Sequence, residues 1–194
     1  MRLLTPRPAT ARSALPRPAA GLVLAGLLAG TAGAAFAQEQ ASHPAGAILI
    51  DQQGERVGSA ALIETPSGLL IQLDVEGLPA GVHGFHIHET GACETPDFKS
   101  AGGHFNPDGR THGFLSEEGP HQGDLPNIYA DEGVPTRADA FAPGVSLEGD
   151  GGLLDDDGAA LVIHATADDY QTDPAGHAGE RLACGVVERQ EARQ

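Results

Sequence analysis

The sequence predicts an all-β protein, built as an antiparallel sandwich or barrel. Short apolar or alternating runs recur from Ala45 almost to the end of the chain. Gly, Pro, Asn and Asp, which are typical of turns, separate these runs, and none of the runs has convincing helical periodicity. Because only 4% of the residues are aromatic and Trp is absent, the core must consist mostly of Val, Ile, Leu and Ala.

About eight strand candidates follow one another along the chain. The first four are AGAILIDQQG, ERVGSAALIET, GLLIQLDVEGLP and GVHGFHIHE. A stretch from Thr90 to about Asn127 is then rich in Gly, Pro and His and has little periodicity. A loop of that length in a compact domain needs something that holds it. The remaining candidates are NIYADEG, TRADAFA, AALVIHA and RLACGVVE.

The first 37 residues have the pattern of a secretory signal peptide. Four arginines and no acidic residue occupy residues 1–20, and the apolar run GLVLAGLLAG and the small residues before Ala37 follow. This apolar run is too short to span a bilayer, although a membrane anchor is the alternative. We predict cleavage after Ala37, a mobile mature N-terminus at residues 38–44 and one domain over residues 45–194.

Charge and cysteine content limit the partners and the compartment. Without residues 1–37, seven basic and 27 acidic residues would leave a net charge near −20. Such a chain does not bind nucleic acid or an anionic membrane through bulk charge. The even count of cysteines, Cys93 and Cys184, favours one disulfide in a secreted protein, and two free thiols are the alternative.

Histidines are crowded into the middle of the chain. His86 and His88 lie two residues apart in a predicted strand, so both project from one face while Phe85 and Ile87 project from the other. Two adjacent imidazoles can bind copper or zinc. His83 has the opposite parity to His86, and we predict that it is a structural, hydrogen-bonded residue.

The long loop and a later strand supply further candidate ligands. His104, His112, His121 and Asp124 together offer the four ligands that zinc prefers. A closed site of this kind is structural, and the metal would order the loop. His164 ends an apolar strand candidate and suits a further ligand to the His86–His88 pair.

Five motifs together resemble the copper/zinc superoxide dismutases, namely GFHIHETG, SAGGHFNP, HQGDLPN, LVIHATADD and GERLACGVV. The similarity extends from about Ala45 to Val187. It implies a flattened, sandwich-like, eight-stranded Greek-key β-barrel with long metal-binding loops. It also implies an enzyme that disproportionates superoxide, a small anion, to dioxygen and hydrogen peroxide, while a bound copper ion alternates between Cu(II) and Cu(I). A structural zinc ion and a homodimer are further implications.

The resemblance also implies a role for each residue that matches a family motif. The copper ligands would be His86, His88, His104 and His164; the zinc ligands would be His104, His112, His121 and Asp124. His104 would bridge the two metals and, with Arg181 beside the open copper position, would act in catalysis. Asp168 would tether His86 and His112.

Several departures from the animal enzymes indicate the bacterial periplasmic branch. Eleven positions separate Cys93 from His104, and the segment from His164 to Arg181 is short and has no lysine. We therefore expect Lys99, the only lysine in the chain, to help attract the anion.

Other readings of the motifs fit less well. The complete zinc set argues against a copper-only dismutase, and its closed arrangement argues against a zinc hydrolase. The main alternative is a non-catalytic periplasmic copper/zinc-binding or metal-storage protein. His177 would be exposed and not a ligand.

Overall fold

The computed structural model describes residues 45–149 and 151–190, which form nine strands and no α-helix within these ranges. The strands are β1 (Ala45–Asp51), β2 (Arg56–Thr65), β3 (Gly68–Val75), β4 (Gly81–His83), β5 (Phe85–His88), β6 (Ile128–Ala130), β7 (Thr136–Pro143), β8 (Ala160–His164) and β9 (Arg181–Arg189). A single 3-10 turn, Lys99–Ala101, interrupts the long loop. The predicted signal peptide and residues 38–44 lie outside the described residues, so these assignments stay predictions.

Seven strands form one curled antiparallel sheet in the order β5-β8-β9-β1-β2-β3-β7, and β4 pairs with β6. Neighbours such as β3 and β7 are distant in sequence, so the chain returns across the sheet instead of forming only hairpins. The predicted all-β class is confirmed.

The run GVHGFHIHE differs from expectation because it forms two strands in different sheets. It divides at Gly84, whose N–H donates to the Thr166 carbonyl and whose carbonyl accepts from the His164 N–H. A Cβ at Gly84 would lie 2.9 Å from that of Ala178, so this close approach favours glycine. As a result, His83 lies on β4, apart from the two histidines of β5.

Buried and less buried residues alternate along the strands, and the buried ones form the core on one face of the sheet. On β3, Leu69, Ile71, Leu73 and Val75 are buried, because residues two apart share a face. Phe85 and Ile87 of β5 join the same core, as the parity of that strand predicts. Burying each such side chain contributes about 1.5–3 kcal/mol.

A second, smaller core holds the loop that follows β5. Phe98 and Ala101 from the loop pack against Val162 of β8 and Cys184 of β9. The disulfide between Cys93 and Cys184 lies beside this cluster and confirms the predicted pairing. The loop is therefore attached to the two strands that carry His164 and Arg181.

Within the described ranges, no helix is long and apolar enough to cross a membrane.

Candidate metal centre

Four buried histidines come together at one end of the sheet. His86 and His88 lie on β5, His164 ends the adjacent strand β8, and His104 of the long loop forms a bridge opposite His88. Their candidate ligand atoms all lie within 4.8 Å of one another. We call His86, His88, His104 and His164 the four-histidine group.

One nitrogen of each of these rings is buried and has no hydrogen-bond partner among the described residues. These nitrogens are Nδ1 of His86 and Nε2 of His88, His104 and His164. Burying such an atom without a partner is costly, so a group of four points to a ligand that they share. Since a neutral imidazole nitrogen can donate its lone pair to a metal, the arrangement fits a cation with nitrogen ligands.

In His88 and His164, a contact between one ring nitrogen and a backbone carbonyl determines that the other nitrogen keeps its lone pair. Nδ1 of His88 lies 3.1 Å from the Gly102 carbonyl, and Nδ1 of His164 lies 3.4 Å from that of Gly179. Because a carbonyl oxygen only accepts, each Nδ1 is the donor and each Nε2 keeps its lone pair. The backbone thus sets the tautomer of these two histidines.

Burial keeps three members of the four-histidine group, His86, His88 and His164, neutral at physiological pH. It lowers the pKa of His86 to about 4, although a hydrogen bond to Asp168 opposes the shift. It also lowers the pKa of His164 to about 3 and that of His88 well below its usual range. These three imidazoles are therefore uncharged and ready to bind a metal near pH 7.

A second group converges on one carboxylate oxygen. Oδ1 of Asp124 lies 2.8 Å from Nδ1 of His104, 3.0 Å from Nδ1 of His112 and 3.3 Å from Nδ1 of His121. Tetrahedral zinc with bonds of about 2.0 Å has ligand atoms roughly 3.3 Å apart. We call these four residues the mixed group, and its spacing fits a small tetrahedral cation.

Backbone donors orient the carboxylate of the mixed group. The N–H groups of Gly113 and His121 donate to Oδ2 of Asp124, which leaves Oδ1 for the imidazoles. Burial raises the pKa of Asp124, but hydrogen bonds from His104 and His112 outweigh it and hold this pKa well below its usual range. The carboxylate is therefore ionised and favours a cation beside it.

His104 belongs to both groups. Its Nδ1 faces the mixed group and its Nε2 faces the four-histidine group. An imidazole that binds a metal through each nitrogen carries no N–H and acts as an imidazolate. The arrangement could thus hold two metal ions, with the ring of His104 shared between them.

Asp168 accepts hydrogen bonds from one histidine of each group, at the ring nitrogen that faces away from the group. Its Oδ2 lies 2.7 Å from Nε2 of His86, and its Oδ1 lies 3.0 Å from Nε2 of His112. Burial raises the pKa of Asp168, but hydrogen bonds from His112 and His86 hold it well below its usual range. Each ring therefore donates from Nε2 and turns Nδ1 toward its own group.

His112 lies between two carboxylates. Burial lowers the pKa of His112, but its hydrogen bonds to Asp124 and Asp168 prevail and raise it to about 9. A ring that attracts a proton so strongly occupies a place where positive charge is stabilised. That charge can equally be a metal ion bound at Nδ1.

Arg181 begins β9 beside the four-histidine group. Its guanidinium donates to the carbonyls of Phe98 and Gly102, each at 2.6 Å. Burial lowers the pKa of Arg181 from its usual high value. The Gly102 carbonyl also accepts from His88, so one peptide group positions both the cation and a ligand candidate.

A cavity of about 450 Å³ opens onto this centre. The residues that line it include His88, His104, His121, His164 and Arg181. A small anion that enters the cavity therefore meets three rings of the four-histidine group and the arginine together. A larger depression of about 540 Å³ beside Arg56 and Asp74 includes none of the histidines.

All sequence-predicted ligand candidates come together in the two groups. The sequence analysis also made predictions for two histidines outside these groups, His83 and His177. His83 is 1% exposed, and its nitrogens lie 2.8 Å from the carbonyls of His164 and Pro79, as expected of a structural residue. The side chain of His177 is 79% exposed and approaches Asp169. Neither belongs to the metal-binding groups.

Sequence reasoning missed the residues that support the centre. Asn127 exchanges two hydrogen bonds with the backbone of Asp168, at 2.9 Å each. Arg110 and Asp173 line the cavity, although no motif singles them out. A scan for the few basic residues between the ligand histidines would have found Arg110.

Lys99 has a different environment from the one its predicted role requires. Its side chain is 82% exposed and pairs with Asp97 at 2.6 Å. It lines a neighbouring cavity that shares Arg181 but contains no histidine. The guiding role of Lys99 stays a prediction.

Comparison with known proteins agrees with these motifs. A family model for copper/zinc superoxide dismutase (SODC) matches residues 45–187. Superoxide dismutase [Cu-Zn] 2 of Aquifex aeolicus (strain VF5) is 51% identical over 170 residues, which cover 84% of this chain and 98% of that protein. Superoxide dismutase [Cu-Zn] of Caulobacter vibrioides is 45% identical over 145 residues, with coverages of 73% and 83%. The crystal structure of a SOD-like protein from Bacillus subtilis has a TM-score of 0.70 and 41% identity, and covers 73% of this chain and 96% of that one.

Proposed function

Because this chain belongs to the copper/zinc superoxide dismutase family, we propose that it disproportionates superoxide at a two-metal centre formed by the four-histidine group and the mixed group. Four imidazoles suit a copper ion, since imidazole binds both of its oxidation states. Three imidazoles and one carboxylate suit a structural zinc ion. The observation that carries the proposal is the set of four buried nitrogens without partners among the described residues. Three of their rings, His88, His104 and His164, line a cavity that Arg181 also lines.

Copper, when bound, supplies a one-electron couple that takes an electron from one superoxide, releasing dioxygen, and returns it to a second, which forms hydrogen peroxide with two protons. The residues of the chain bring the anion to this couple and supply a proton. Arg181 presents a fixed positive charge in the cavity and attracts superoxide. Its hydrogen bonds to the loop carbonyls keep that charge in place.

His104 is suited to hold a proton at Nε2. This atom is buried and faces the four-histidine group, while Nδ1 is directed at the mixed group. A ring that is tethered through Nδ1 keeps its position whether or not Nε2 carries a proton. His104 can therefore deliver that proton to the reduced oxygen without reorienting.

The compartment and the assembly are part of the proposal. The disulfide fits an oxidising compartment, and the predicted signal peptide at residues 1–37 would direct the chain to the periplasm. The N-terminal residue of the protein recovered from a periplasmic fraction tests this prediction. The homodimer stays a prediction from the family resemblance.

Metal analysis combined with a superoxide assay tests the proposed activity. We expect one copper and one zinc per chain and rapid dismutation by the loaded protein. His104→Ala should separate the two sites and reduce the rate, whereas His177→Ala, at the exposed histidine, should change neither metal content nor rate. Zinc binding without copper affinity would overturn the enzyme proposal.

The second candidate is a non-catalytic metal-binding protein, which the likeness to a SOD-like protein of Bacillus subtilis makes worth testing. In that case the chain would bind both metals and leave the lifetime of superoxide unchanged. The combination of all four copper-side imidazoles with Arg181 favours the enzyme.

A further inference from the structure

We infer that Arg110 is a second guiding cation, beside Arg181, of the cavity that opens onto the candidate metal centre. It would raise the rate at which the substrate anion reaches the metal. The inference rests on the proposed function and concerns the same cavity. Arg110 lies in the loop between His104 and His112 and lines the cavity together with Arg181.

The charge balance of the cavity depends on Arg110. Four described lining residues other than histidines carry charge: Arg110, Arg181, Glu89 and Asp173. Two positive charges thus face two negative ones before any metal is counted. Without Arg110 the carboxylates would outnumber the remaining arginine, and the entrance would repel an anion more strongly.

The backbone of Arg110 is held in place, so its side chain starts from a defined position. Oδ1 of Asn106 accepts from the Arg110 N–H, and Nδ2 of Asn106 donates to the Arg110 carbonyl, both at 2.9 Å. Asn106 also lines the cavity. Because both bonds are to the main chain, a substitution of the Arg110 side chain leaves them intact.

The guanidinium of Arg110 is weakly engaged by its neighbour. Its Nε lies 3.5 Å from Oδ2 of Asp108, and both side chains are about half exposed, at 51% each. That carboxylate oxygen also accepts from Gln122 at 3.1 Å. An ion pair with this geometry at the surface contributes little, so most of the charge of Arg110 stays available to the cavity.

Lys99 is less suited to the same role. Its Nζ is only 2.6 Å from Asp97, and that pair faces the neighbouring cavity, which contains no histidine. The closer pairing neutralises Lys99 more fully than Asp108 neutralises Arg110. The two cations can therefore be ranked by experiment.

Arg110→Gln, Lys99→Gln and Arg137→Gln each remove one positive charge and form a matched series. Arg137 lies on β7, pairs with Asp74 at 2.9 Å and lines a cavity without histidines, so it controls for net charge. Arg110→Lys tests whether charge alone restores the effect. Metal content and melting temperature of each loaded variant establish that the centre is intact.

The main readout is the second-order rate with superoxide as a function of ionic strength. Arg110→Gln should lower this rate by about threefold at low salt, which is the factor that Coulomb's law gives if the anion passes about 6 Å from a unit charge in water. The difference should fall below about twofold at physiological salt, where the Debye length is about 8 Å. Arg110→Lys should recover most of the rate, and Lys99→Gln should lose less than Arg110→Gln.

Azide binding to the Cu(II)-loaded protein, followed by absorbance, is an independent readout that needs no turnover. Its dissociation constant should rise about threefold in Arg110→Gln at low salt and stay unchanged in Arg137→Gln. If Arg110→Gln matches Arg137→Gln in both readouts, or if the wild-type rate rises with salt, the inference is wrong. A wild-type protein that binds azide but does not consume superoxide would instead overturn the proposed function, and the azide series would still test Arg110.

Discussion

Asp168 offers a direct test of how the centre is held together. The substitution Asp168→Asn keeps the shape of the side chain and removes its charge. The wild-type carboxylate accepts from Nε2 of His86 at 2.7 Å and from Nε2 of His112 at 3.0 Å. An asparagine can accept from one ring with its carbonyl oxygen, but it presents an NH₂ group to the other ring.

The geometry sets the expected size of the effect. One of the two charge-assisted hydrogen bonds is lost, and such a bond contributes about 1.5–3 kcal/mol. Since about 1.4 kcal/mol corresponds to a factor of ten in an equilibrium constant, the affinity for one metal should fall by about 10- to 100-fold. The metal that is lost reports which ring the amide leaves without an acceptor: copper for His86 and zinc for His112.

The assay is a competition titration of the metal-free protein with a chelator, carried out separately for zinc and copper. Asp169→Asn is the matched control, because Asp169 is the next residue and is also acidic. Its carboxylate accepts from Gln171 and Thr172 in a turn and contacts none of the ligand histidines. It should leave both affinities unchanged.

Two results would refute the reasoning about Asp168. One is wild-type affinity for both metals in Asp168→Asn, which would mean that the carboxylate does not orient the rings. The other is an equal loss in Asp169→Asn, which would attribute the effect to the net charge of the loop. The melting temperature of each metal-free variant shows whether the fold is preserved, and Tyr170 N–H can still donate to an asparagine oxygen at position 168.

The remaining predictions concern stability around the centre. Reducing the disulfide between Cys93 and Cys184 releases a loop with a sequence separation of 91, so the free energy of unfolding should fall by about 4–5 kcal/mol in urea titrations; an unchanged urea midpoint would contradict this. His83→Ala leaves the carbonyl of His164 without the buried ring contact at 2.8 Å, at a cost of about 1–3 kcal/mol, whereas the Pro79 carbonyl, which belongs to an exposed residue, can bond to water instead. Because one of these carbonyls belongs to the copper-side ligand candidate, this variant should release copper faster in chelator challenge and retain zinc; equal loss of both metals would count against a specific effect.

Periodicity alone predicts a large part of the fold. The alternation in β3 and β5 places Leu69, Ile71 and Ile87 in the core and His86 and His88 on the opposite face, because residues two apart in a strand share a face whatever the strand packs against. The boundary at Gly84 was not predicted. It depends on Thr166 and His164, which lie about 80 positions away and bind the Gly84 backbone.

The candidate site also combines features that the sequence predicts with features that only the tertiary structure shows. Residue types, spacing and family motifs identify the histidines, Asp124, Asp168 and Arg181 from the sequence, because each motif contains its own functional residue. The even cysteine count and the secretory pattern likewise predict the disulfide, with no knowledge of distance. These properties are local in sequence and need no packing information.

Only the tertiary structure decides which nitrogen of each ring is free. The carbonyl of Gly102 selects Nε2 of His88, and the carboxylate of Asp168 selects Nδ1 of His86, across 82 positions of sequence. The same holds for Arg110, whose inferred role depends on the loop that places it on the cavity of Arg181. A tautomer or a local field depends on which groups are within a few ångströms, and in this fold those groups come from distant parts of the chain.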